Sequence, residues 1–547
     1  MKGTWRTVVR GTEIEEFELK ILGVMPNGLG PGRDSILAYA LDDRNRLSGP
    51  VAGMSGSPVF IDGRLVGAYA YGYAWSKQQA IIGVTPIEQM LELLDFPLEP
   101  PPLLEGQATP WAAFGERSVA MPAAMEGPML RPLPAPLALS GFSNETIRAF
   151  ADDWSALGFD IVQGASGGSV DAVKSDFAPG SAVAAVLMSG DFSAASTGTV
   201  TWTDGERVIG FGHPFRQWGA VAVPMAAAEI VAVMQSAQLS FKLSRVGPVV
   251  GSIFQDRLPG IAGRVGPVPD MVPVTISTSG ASPDARFEGR AFDHPATLPM
   301  MVAMATFQAA TRSMEAGVEQ TVRLSGSIRF AGQEPILVDD VGTGSLAVLG
   351  LAFTLRDQLS RVMNHPAQTL RLESVDLHIE SFDARAQTRL IEVRLLQERV
   401  TRRGGEVSFA VVTERFRGDR HTETVTLPLP DEVRPGDRLT LLVTDAARAD
   451  AAVGDAQGRA DSPVAVLAQW RNRRAADAMY VLLIRSSEGV TVGDVSLRDV
   501  PPSVLASLTS DTRFAARDML RERVISEQAR PTVGPFSGNF RLTFRID

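Results

Sequence analysis

A short segment rich in glycine and serine carries the sharpest chemical signal in the sequence: Gly53-Met54-Ser55-Gly56-Ser57-Pro58. A tight Gly-x-Ser-Gly turn can expose the serine oxygen and aim two backbone amides at one point. Such amides form an oxyanion hole, which stabilises the negative charge that develops when an alcohol attacks a carbonyl group. The spacing therefore predicts Ser55 as a nucleophile, with the amides of Gly53 and Ser55 as oxyanion donors. The alternative interpretation is a structural Gly/Ser hairpin turn.

A nucleophilic serine needs a general base at neutral pH. His213 is the best candidate because it stands between a glycine-rich strand end and a proline, in Ile209-Gly210-Phe211-Gly212-His213-Pro214, which is typical of a rim and not of a core. A purely structural histidine is the alternative. The other four histidines fall at apparent connections, on a C-terminal strand or in a charged loop: His294, His365, His378 and His421.

The base in turn needs an acid that orients it. Asp256 follows a predicted strand in the same half of the chain as His213, and two-barrel serine proteases keep these two residue types in one barrel. Asp42 and Asp43, just upstream of the serine turn, are rival candidates. The structural alternative for Asp256 is a pair with Arg257.

Several elements are needed to position these residues. Two strands flanking Asp62-Gly63 predict a hairpin directly after the serine turn. A helix is expected after it, with Thr85 as N-cap and Glu88 completing a capping box. Further helices are predicted at 224–237 and 299–316, and the Ala/Arg/Asp-rich stretch 446–475 predicts a mobile loop.

The chain of 547 residues is long enough for roughly three or four domains. Abundant Gly and Pro favour a mostly β protein. We expect a serine-bearing barrel with a closing helix at 1–96 and a histidine-bearing barrel at 137–290. A linker holding ten of the 36 prolines joins them at 97–136. A helix and strand connector at 291–365 and a β-sandwich-like region at 366–547 follow.

Composition excludes several function classes. A net charge of -10 disfavours binding to nucleic acid through a basic surface, and the lack of cysteine excludes disulfides, thiol nucleophiles and thiolate metal sites. The sequence has no spacing typical of a metal site or a phosphate-binding loop, so no cofactor is expected. No apolar run is long enough for a transmembrane helix. A strand-like run starts at Thr4, so we expect a leader segment to have preceded it.

Two groups of segments resemble the two halves of SpoIVB-type sporulation peptidases. The serine half is carried by residues 7–11, 17–24, 53–58 and 63–68, and Gly-Met-Ser-Gly-Ser-Pro is its most specific match. The histidine half is carried by residues 198–201, 210–213 and 251–263. The resemblance covers roughly 3–95 and 180–275. It implies a serine endopeptidase with a trypsin-like double barrel, Ser55 as nucleophile, His213 as base and a protein or peptide substrate.

The order of the halves differs from that family. The histidine half comes first in the sporulation peptidases, whereas the serine half comes first here, which suggests a circular permutation. The proposed aspartate of the family lies upstream of the serine and maps onto Asp42 or Asp43. No PDZ module is recognisable. The family also implies an extracytoplasmic location, in the periplasm or cell envelope. The functional alternative is a non-catalytic, protease-like scaffold that binds a partner there.

Overall fold

The computed structural model describes fifteen stretches of the chain: residues 1–42, 49–73, 81–99, 130–165, 173, 175–235, 240–281, 284–312, 319–397, 400, 405–457, 462–492, 495–498, 500–510 and 517–547. The protein is mostly β, with 55% strand and 17% helix. This confirms the predicted class. Two compact units are present: a first unit holding most of residues 1–274 together with 287–308, and a second unit holding 275–286 and most of 309–547.

The first unit begins with a closed barrel of six strands, which we call the first barrel. Its strands pair in the order β5-β1-β2-β3-β7-β6, and β6 returns to β5. Their bounds are β1 Lys2–Val8, β2 Ile14–Gly30, β3 Arg33–Ala40, β5 Ser57–Ile61, β6 Arg64–Tyr73 and β7 Ile81–Pro86. Buried Trp5, Leu19, Val59 and Tyr69 contribute to its core. The short strand β4, Val51–Ala52, precedes β5, and β8, Leu130–Pro132, pairs with β6.

The predicted hairpin is confirmed. β5 and β6 are joined by Asp62 and Gly63, and both residues have positive φ angles, 49° and 75°. The helix that follows, α1 at Ile87–Leu91, also exists and leads into a 3-10 helix at Glu92–Asp95. The predicted capping box is wrong: Pro86 is the N-cap residue, no side chain caps the helix, and Thr85 belongs to β7.

The described residues after β8 continue as a second set of strands with three helices, of which the strands at 271–280 and 285–292 and the helix at 298–312 each lie partly in the second unit. The elements are β9 Leu137–Ser140, α2 Asn144–Ala149, α3 Ala151–Ala156, β10 Ile161–Gln163, β11 Ala182–Gly190, β12 Ser193–Thr203, β13 Arg207–Gly210, β14 Gly219–Met234, β15 Ser240–Arg257, β16 Gly260–Val265, β17 Met271–Gly280, β18 Ala285–Phe292 and α4 Leu298–Arg312. Six of these strands pair in the cyclic order β12-β13-β16-β15-β14-β11, and β11 pairs with β12 again. We call these six strands the second ring.

One predicted helix is a strand. The segment from Pro224 lies in β14, which pairs with β15 on one side and with β11 on the other. The run of Ala and Met favours a helix by intrinsic propensity, but propensity is a weak term that pairing on both edges overrides. By contrast, the helix expected at 299–316 is confirmed by α4 as far as Arg312.

The second unit contains three groups of strands. Its elements after α4 are β19 Thr321–Phe330, β20 Ile336–Thr343, α5 Ala347–Met363, β21 Leu372–Phe382, β22 Thr388–Leu395, β23 Glu406–Arg415, β24 Arg420–Pro428, β25 Arg438–Thr444, α6 Ala446–Gln457, α7 Pro463–Arg471, β26 Ala478–Val492, β27 Val495–Arg498, α8 Pro502–Ser510, β28 Arg517–Pro531, β29 Phe536–Ser537 and β30 Asn539–Arg545. The first group pairs as β17-β21-β19-β20. The others are β24-β23-β22-β29 and β27-β26-β25-β30, with β28 on β26.

The last two sheets share one core. Phe409 and Val425 of one sheet pack in the same cluster as Leu441 and Val481 of the other. Two sheets of the second unit therefore contribute side chains to a common core. The predicted mobile loop at 446–475 is wrong for most of its length, because α6 and α7 lie there. Within the described stretches, no helix is long and apolar enough to cross a membrane.

Candidate functional site

The segment Gly53–Ser57, which we call the nucleophile turn, joins β4 to β5. Gly53 and Gly56 have φ angles of 87° and 94°, a conformation that glycine adopts without strain. The Ser57 hydroxyl donates to the Met54 carbonyl at 2.6 Å, and the Gly56 amide donates to the Tyr69 carbonyl of β6 at 2.8 Å. The turn predicted from the sequence is therefore a tight, internally bonded loop at the edge of the first barrel.

Strand β12 of the second ring holds the other side of this turn. The Thr199 amide donates to the Ser55 carbonyl at 2.8 Å, and the Thr199 hydroxyl donates to the Gly53 carbonyl at 3.1 Å. The Thr201 hydroxyl donates to the Gly56 carbonyl at 2.7 Å. Three carbonyls of the turn are thus fixed by two threonines that lie almost 150 positions away in the sequence.

The backbone amides of the turn differ in whether they have a hydrogen-bond acceptor. The amides of Met54 and Ser57 donate within the turn, to the carbonyls of Val51 and Met54, both at 3.1 Å. The Gly56 amide is bonded to β6. Within the described part of the chain, the Ser55 amide is the one N–H of residues 54–57 that has no carbonyl acceptor. It is the amide that an oxyanion at Ser55 would need.

His213 lies in a second tight segment, residues 210–214, which we call the histidine loop. Phe211 and Gly212 both have positive φ angles, 67° and 70°. The Thr85 hydroxyl of the first barrel donates to the Gly212 carbonyl at 2.5 Å. A Cβ atom on Gly212 would lie 2.8 Å from the Cβ of Ala70, so the loop packs directly on β6.

The two segments lie against each other. A Cβ atom built on Gly56 would lie 2.0 Å from the Thr199 carbonyl oxygen and 2.4 Å from the Phe211 amide nitrogen. Glycine is required there because both neighbours are backbone atoms and cannot turn aside. The structure therefore places the turn bearing Ser55 beside the loop bearing His213, although the two residues are 158 positions apart in the chain.

The electrostatics of His213 set its chemical state. Its ring is buried, and burial lowers its pKa from 6.5 to about 4. The ring is therefore neutral at pH 7. Nδ1 lies 2.8 Å from the Pro214 carbonyl oxygen, which can only accept, so Nδ1 carries the hydrogen. Nε2 of the neutral ring is left as a proton acceptor.

Both candidate reactive atoms are buried without a partner. Ser55 is completely buried, His213 is 2% exposed, and neither Ser55 Oγ nor His213 Nε2 has a hydrogen-bond partner among the described residues. No hydrogen bond joins the two side chains. The structure thus brings the predicted nucleophile and base into one region, in a closed and unpaired arrangement.

Asp256 lies behind the histidine loop and does not bond to the imidazole. Its two carboxylate oxygens accept from three backbone amides, those of Phe215 at 2.7 Å, Arg216 at 2.8 Å and Trp218 at 3.0 Å. Burial raises the pKa of the Asp256 carboxyl, and the amides oppose that rise. The predicted orientation of His213 by direct contact is therefore not formed, since Nδ1 is bonded to Pro214. Asp256 shapes the segment that follows the histidine.

The rival aspartates have different positions. Asp42 is half-buried just after β3. Burial, and to a lesser extent the charge of Asp42, raises the pKa of Tyr69 in the first barrel. Asp43 lies outside the described residues. A pocket of about 440 Å³ lies elsewhere in the first unit, and neither Ser55 nor His213 lines it; its walls are Leu94, Phe96, Pro97, Leu98, Glu99, Glu206, Arg207 and Arg264.

Sequence reasoning missed Lys242. This residue of β15 is 4% exposed, and its Nζ donates to the Thr7 hydroxyl at 2.7 Å and to the Thr199 hydroxyl at 3.3 Å. Burial lowers the pKa of Lys242 from 10.5 to about 7. The one signal in the sequence is rarity: in a chain whose basic residues are almost all arginine, Lys242 is one of only five lysines, set in a strand-like run.

Comparisons with models of protein families, with curated proteins and with solved structures found no match to this chain.

Proposed function

We propose that the protein is a serine endopeptidase in which Ser55 is the nucleophile and His213 the general base. The observation that carries this proposal is the placement of two buried, unpartnered polar atoms, Ser55 Oγ and His213 Nε2, on segments packed against each other. A buried polar group without a partner costs about 1–3 kcal/mol of stability. Such a cost is expected at a functional site, where the missing hydrogen-bond partner is a bound substrate or a side chain that moves into place when the site opens.

The topology of the first unit supports a trypsin-like double barrel. Ser55 lies two residues before β5 of the first barrel, and His213 lies three residues after β13 of the second ring. Each set has six strands in a cyclic pairing order. With the second ring taken as the second barrel, nucleophile and base come from different barrels, as the two-barrel mechanism requires. The swapped order of the halves does not affect that requirement, because the geometry defines the site.

The proposed reaction is hydrolysis through an acyl-enzyme. Ser55 Oγ attacks the scissile carbonyl carbon while its proton moves to His213 Nε2. The amides of Ser55 and Gly53 hold the resulting oxyanion. The tetrahedral intermediate then collapses, the C–N bond breaks, and the imidazolium returns the proton to the leaving amine. Water, deprotonated by the same imidazole, hydrolyses the ester. Because Ser55 is completely buried, substrate must open the site first.

A second candidate function is a non-catalytic, protease-like scaffold that binds a partner at the cell envelope. It is favoured by the absence of a Ser55–His213 hydrogen bond and by the use of both Asp256 oxygens on backbone amides. In this scheme the two barrels are retained for their shape. The C-terminal sheets of the second unit would then carry the partner surface.

Labelling with a fluorophosphonate separates the two functions. Mass spectrometry of the full chain should find the probe on Ser55, and the label should be lost in Ser55→Ala and in His213→Ala. The matched control is Ser181→Ala, which removes another buried, unpartnered hydroxyl of the first unit and should leave labelling in place. The scaffold would be favoured if the probe labelled only other serines, or if native protein stayed unlabelled after long incubation.

A further inference from the structure

Lys242 is a buried base that has no acidic partner among the described residues. No ion pair of the described residues includes it, and its Nζ contacts only the hydroxyls of Thr7 and Thr199. Burial alone accounts for its lowered pKa. Removing an amine from water without a counter-ion is unfavourable, and an apolar side chain of similar length would fill the same space at lower cost. Packing alone therefore does not explain a lysine at this position.

A single residue, Thr199, links Lys242 to the nucleophile turn by hydrogen bonds. Its Nζ donates to Thr199 Oγ1, and that hydroxyl donates to the Gly53 carbonyl at 3.1 Å. The Thr199 amide holds the Ser55 carbonyl. The stem of the lysine also touches the turn, since a Cβ on Gly53 would lie 3.3 Å from Lys242 Cβ. Thr199 therefore connects Lys242 to the carbonyls of Gly53 and Ser55.

The chemistry of the three groups gives this chain of hydrogen bonds a direction. The structure has Nζ as donor to both threonine hydroxyls, and in its protonated form the amine has three N–H donors and no acceptor. When it donates to Thr199 Oγ1, the single hydrogen of that hydroxyl is free to point at the Gly53 carbonyl. Without the amine, the hydroxyl can instead donate to Thr7 Oγ1, which lies 3.5 Å away. The lysine thus selects the rotamer of the hydroxyl that fixes the turn.

We propose that Lys242 is a positioning residue for the nucleophile, acting through Thr199 to hold the turn that presents Ser55 and its amide. The inference rests on the proposed function for its meaning in catalysis. The positioning itself does not, because it concerns the conformation of residues 53–57. A displacement of about 1 Å at a reacting group can slow a reaction about 10²-fold. Loss of Lys242 should therefore lower the reactivity of Ser55, although the two side chains have no direct hydrogen bond.

The experiment compares Lys242→Met, Thr199→Val and the double variant in the full chain, with Thr199→Ser as the conservative variant. Lys20→Met, at an exposed position of β2, is the control lysine. Two readouts are taken: the rate of fluorophosphonate labelling, separated into binding and inactivation steps, and amide hydrogen exchange of the peptide covering 51–58. We expect about a 10²-fold loss in the inactivation step for each single variant, with unchanged probe binding.

Non-additivity identifies the route. If Lys242 acts through Thr199, the double variant is no slower than either single variant, and Thr199→Ser restores the rate. Exchange should rise at 51–58 and stay unchanged in strand β3. An additive double variant, or single variants with wild-type rates and exchange, would overturn the proposal. Should Lys242→Met raise exchange everywhere, the Thr199→Val and Thr199→Ser pair decides, because both keep the lysine.

Failure of the proposed function gives a different pattern. If wild-type protein is never labelled at Ser55, the endopeptidase proposal fails while the exchange measurement still tests the role of Lys242. Faster exchange confined to 51–58 in Lys242→Met and in Thr199→Val would then support positioning of a non-catalytic turn. Unchanged exchange in both variants would then contradict the positioning role of Lys242 as well.

Discussion

Substitution of Gly56 by alanine tests the contact between the nucleophile turn and the histidine loop. The new Cβ would lie 2.0 Å from the Thr199 carbonyl oxygen, whereas ordinary contact begins near 3.4 Å, so the two must separate by 3.4 − 2.0 = 1.4 Å. The positive φ of Gly56 adds strain of about 1–2 kcal/mol for any residue with a Cβ. Overpacking against rigid backbone adds roughly a further 1–3 kcal/mol.

Gly63→Ala is the matched control. Gly63 has a φ of 75°, lies in the hairpin that follows the same turn, and has open space where a Cβ would be. It carries the conformational strain without the clash. The difference between the two variants therefore measures the contact between the turn and its neighbours in the second ring.

Thermal unfolding followed by tryptophan fluorescence measures this difference. With roughly 2–4 °C per kcal/mol for a large domain, the clash of about 1–3 kcal/mol should place the Tm of Gly56→Ala about 2–12 °C below that of Gly63→Ala. Fluorophosphonate labelling of Ser55 should fall in Gly56→Ala and persist in Gly63→Ala. Equal Tm values for the two variants would refute the close approach of the turn to Thr199 and Phe211, and with it the assembled site.

Three further predictions follow from the histidine loop. His213→Gln should remove one pH-dependent penalty: because the folded pKa of His213 is about 4 and the unfolded one 6.5, this ring contributes a loss of about 3 kcal/mol as pH falls from 6.5 to 4. Buried His294, whose pKa is also lowered, adds a separate loss that the variant keeps. Urea unfolding at both ends of that window measures the His213 loss, with exposed His421→Gln as a control that keeps the step. Asp256→Asn should cost about 2–4 kcal/mol in urea unfolding, since an amide nitrogen would face the backbone donors; a neutral effect would mean that the carboxylate does not hold residues 215–218. Thr85→Val should cost about 1–3 kcal/mol by leaving the Gly212 carbonyl unsatisfied, and Thr85→Ser should recover most of it in the same assay.

The sequence predicts those features of the fold that depend on residues only a few positions apart. The Asp62-Gly63 pair predicted a two-residue hairpin because those residues tolerate positive φ angles, and the structure has that hairpin. The Gly-x-Ser-Gly pattern likewise predicted a tight turn, and the glycines at 53 and 56 both have positive φ angles. These features depend on neighbours a few positions away, which the sequence displays directly.

Distant partners defeated the same reasoning. Thr85 was predicted to cap a helix, but its hydroxyl is bonded to the Gly212 carbonyl, 127 positions away. Asp256 was predicted to orient His213, but three amides of the following segment occupy both of its oxygens. The position of Lys242 cannot be predicted from the sequence, because its burial and its threonine contacts exist only once β1, β12 and β15 have come together. No pattern along the chain encodes those meetings.

The same long-range bonds bear on how substrate could reach Ser55. Thr85 of the first barrel holds a carbonyl of the histidine loop, while Thr199 and Thr201 of the second ring hold carbonyls of the nucleophile turn. Each set of strands thus holds the segment that carries the other set's candidate residue. Gly56 also packs on the backbone of both β12 and the histidine loop. Drawing the turn and the loop apart would therefore disrupt all of these contacts together. Opening of the proposed active site is therefore expected to expose the serine and the imidazole together, with their mutual geometry kept by the three threonines.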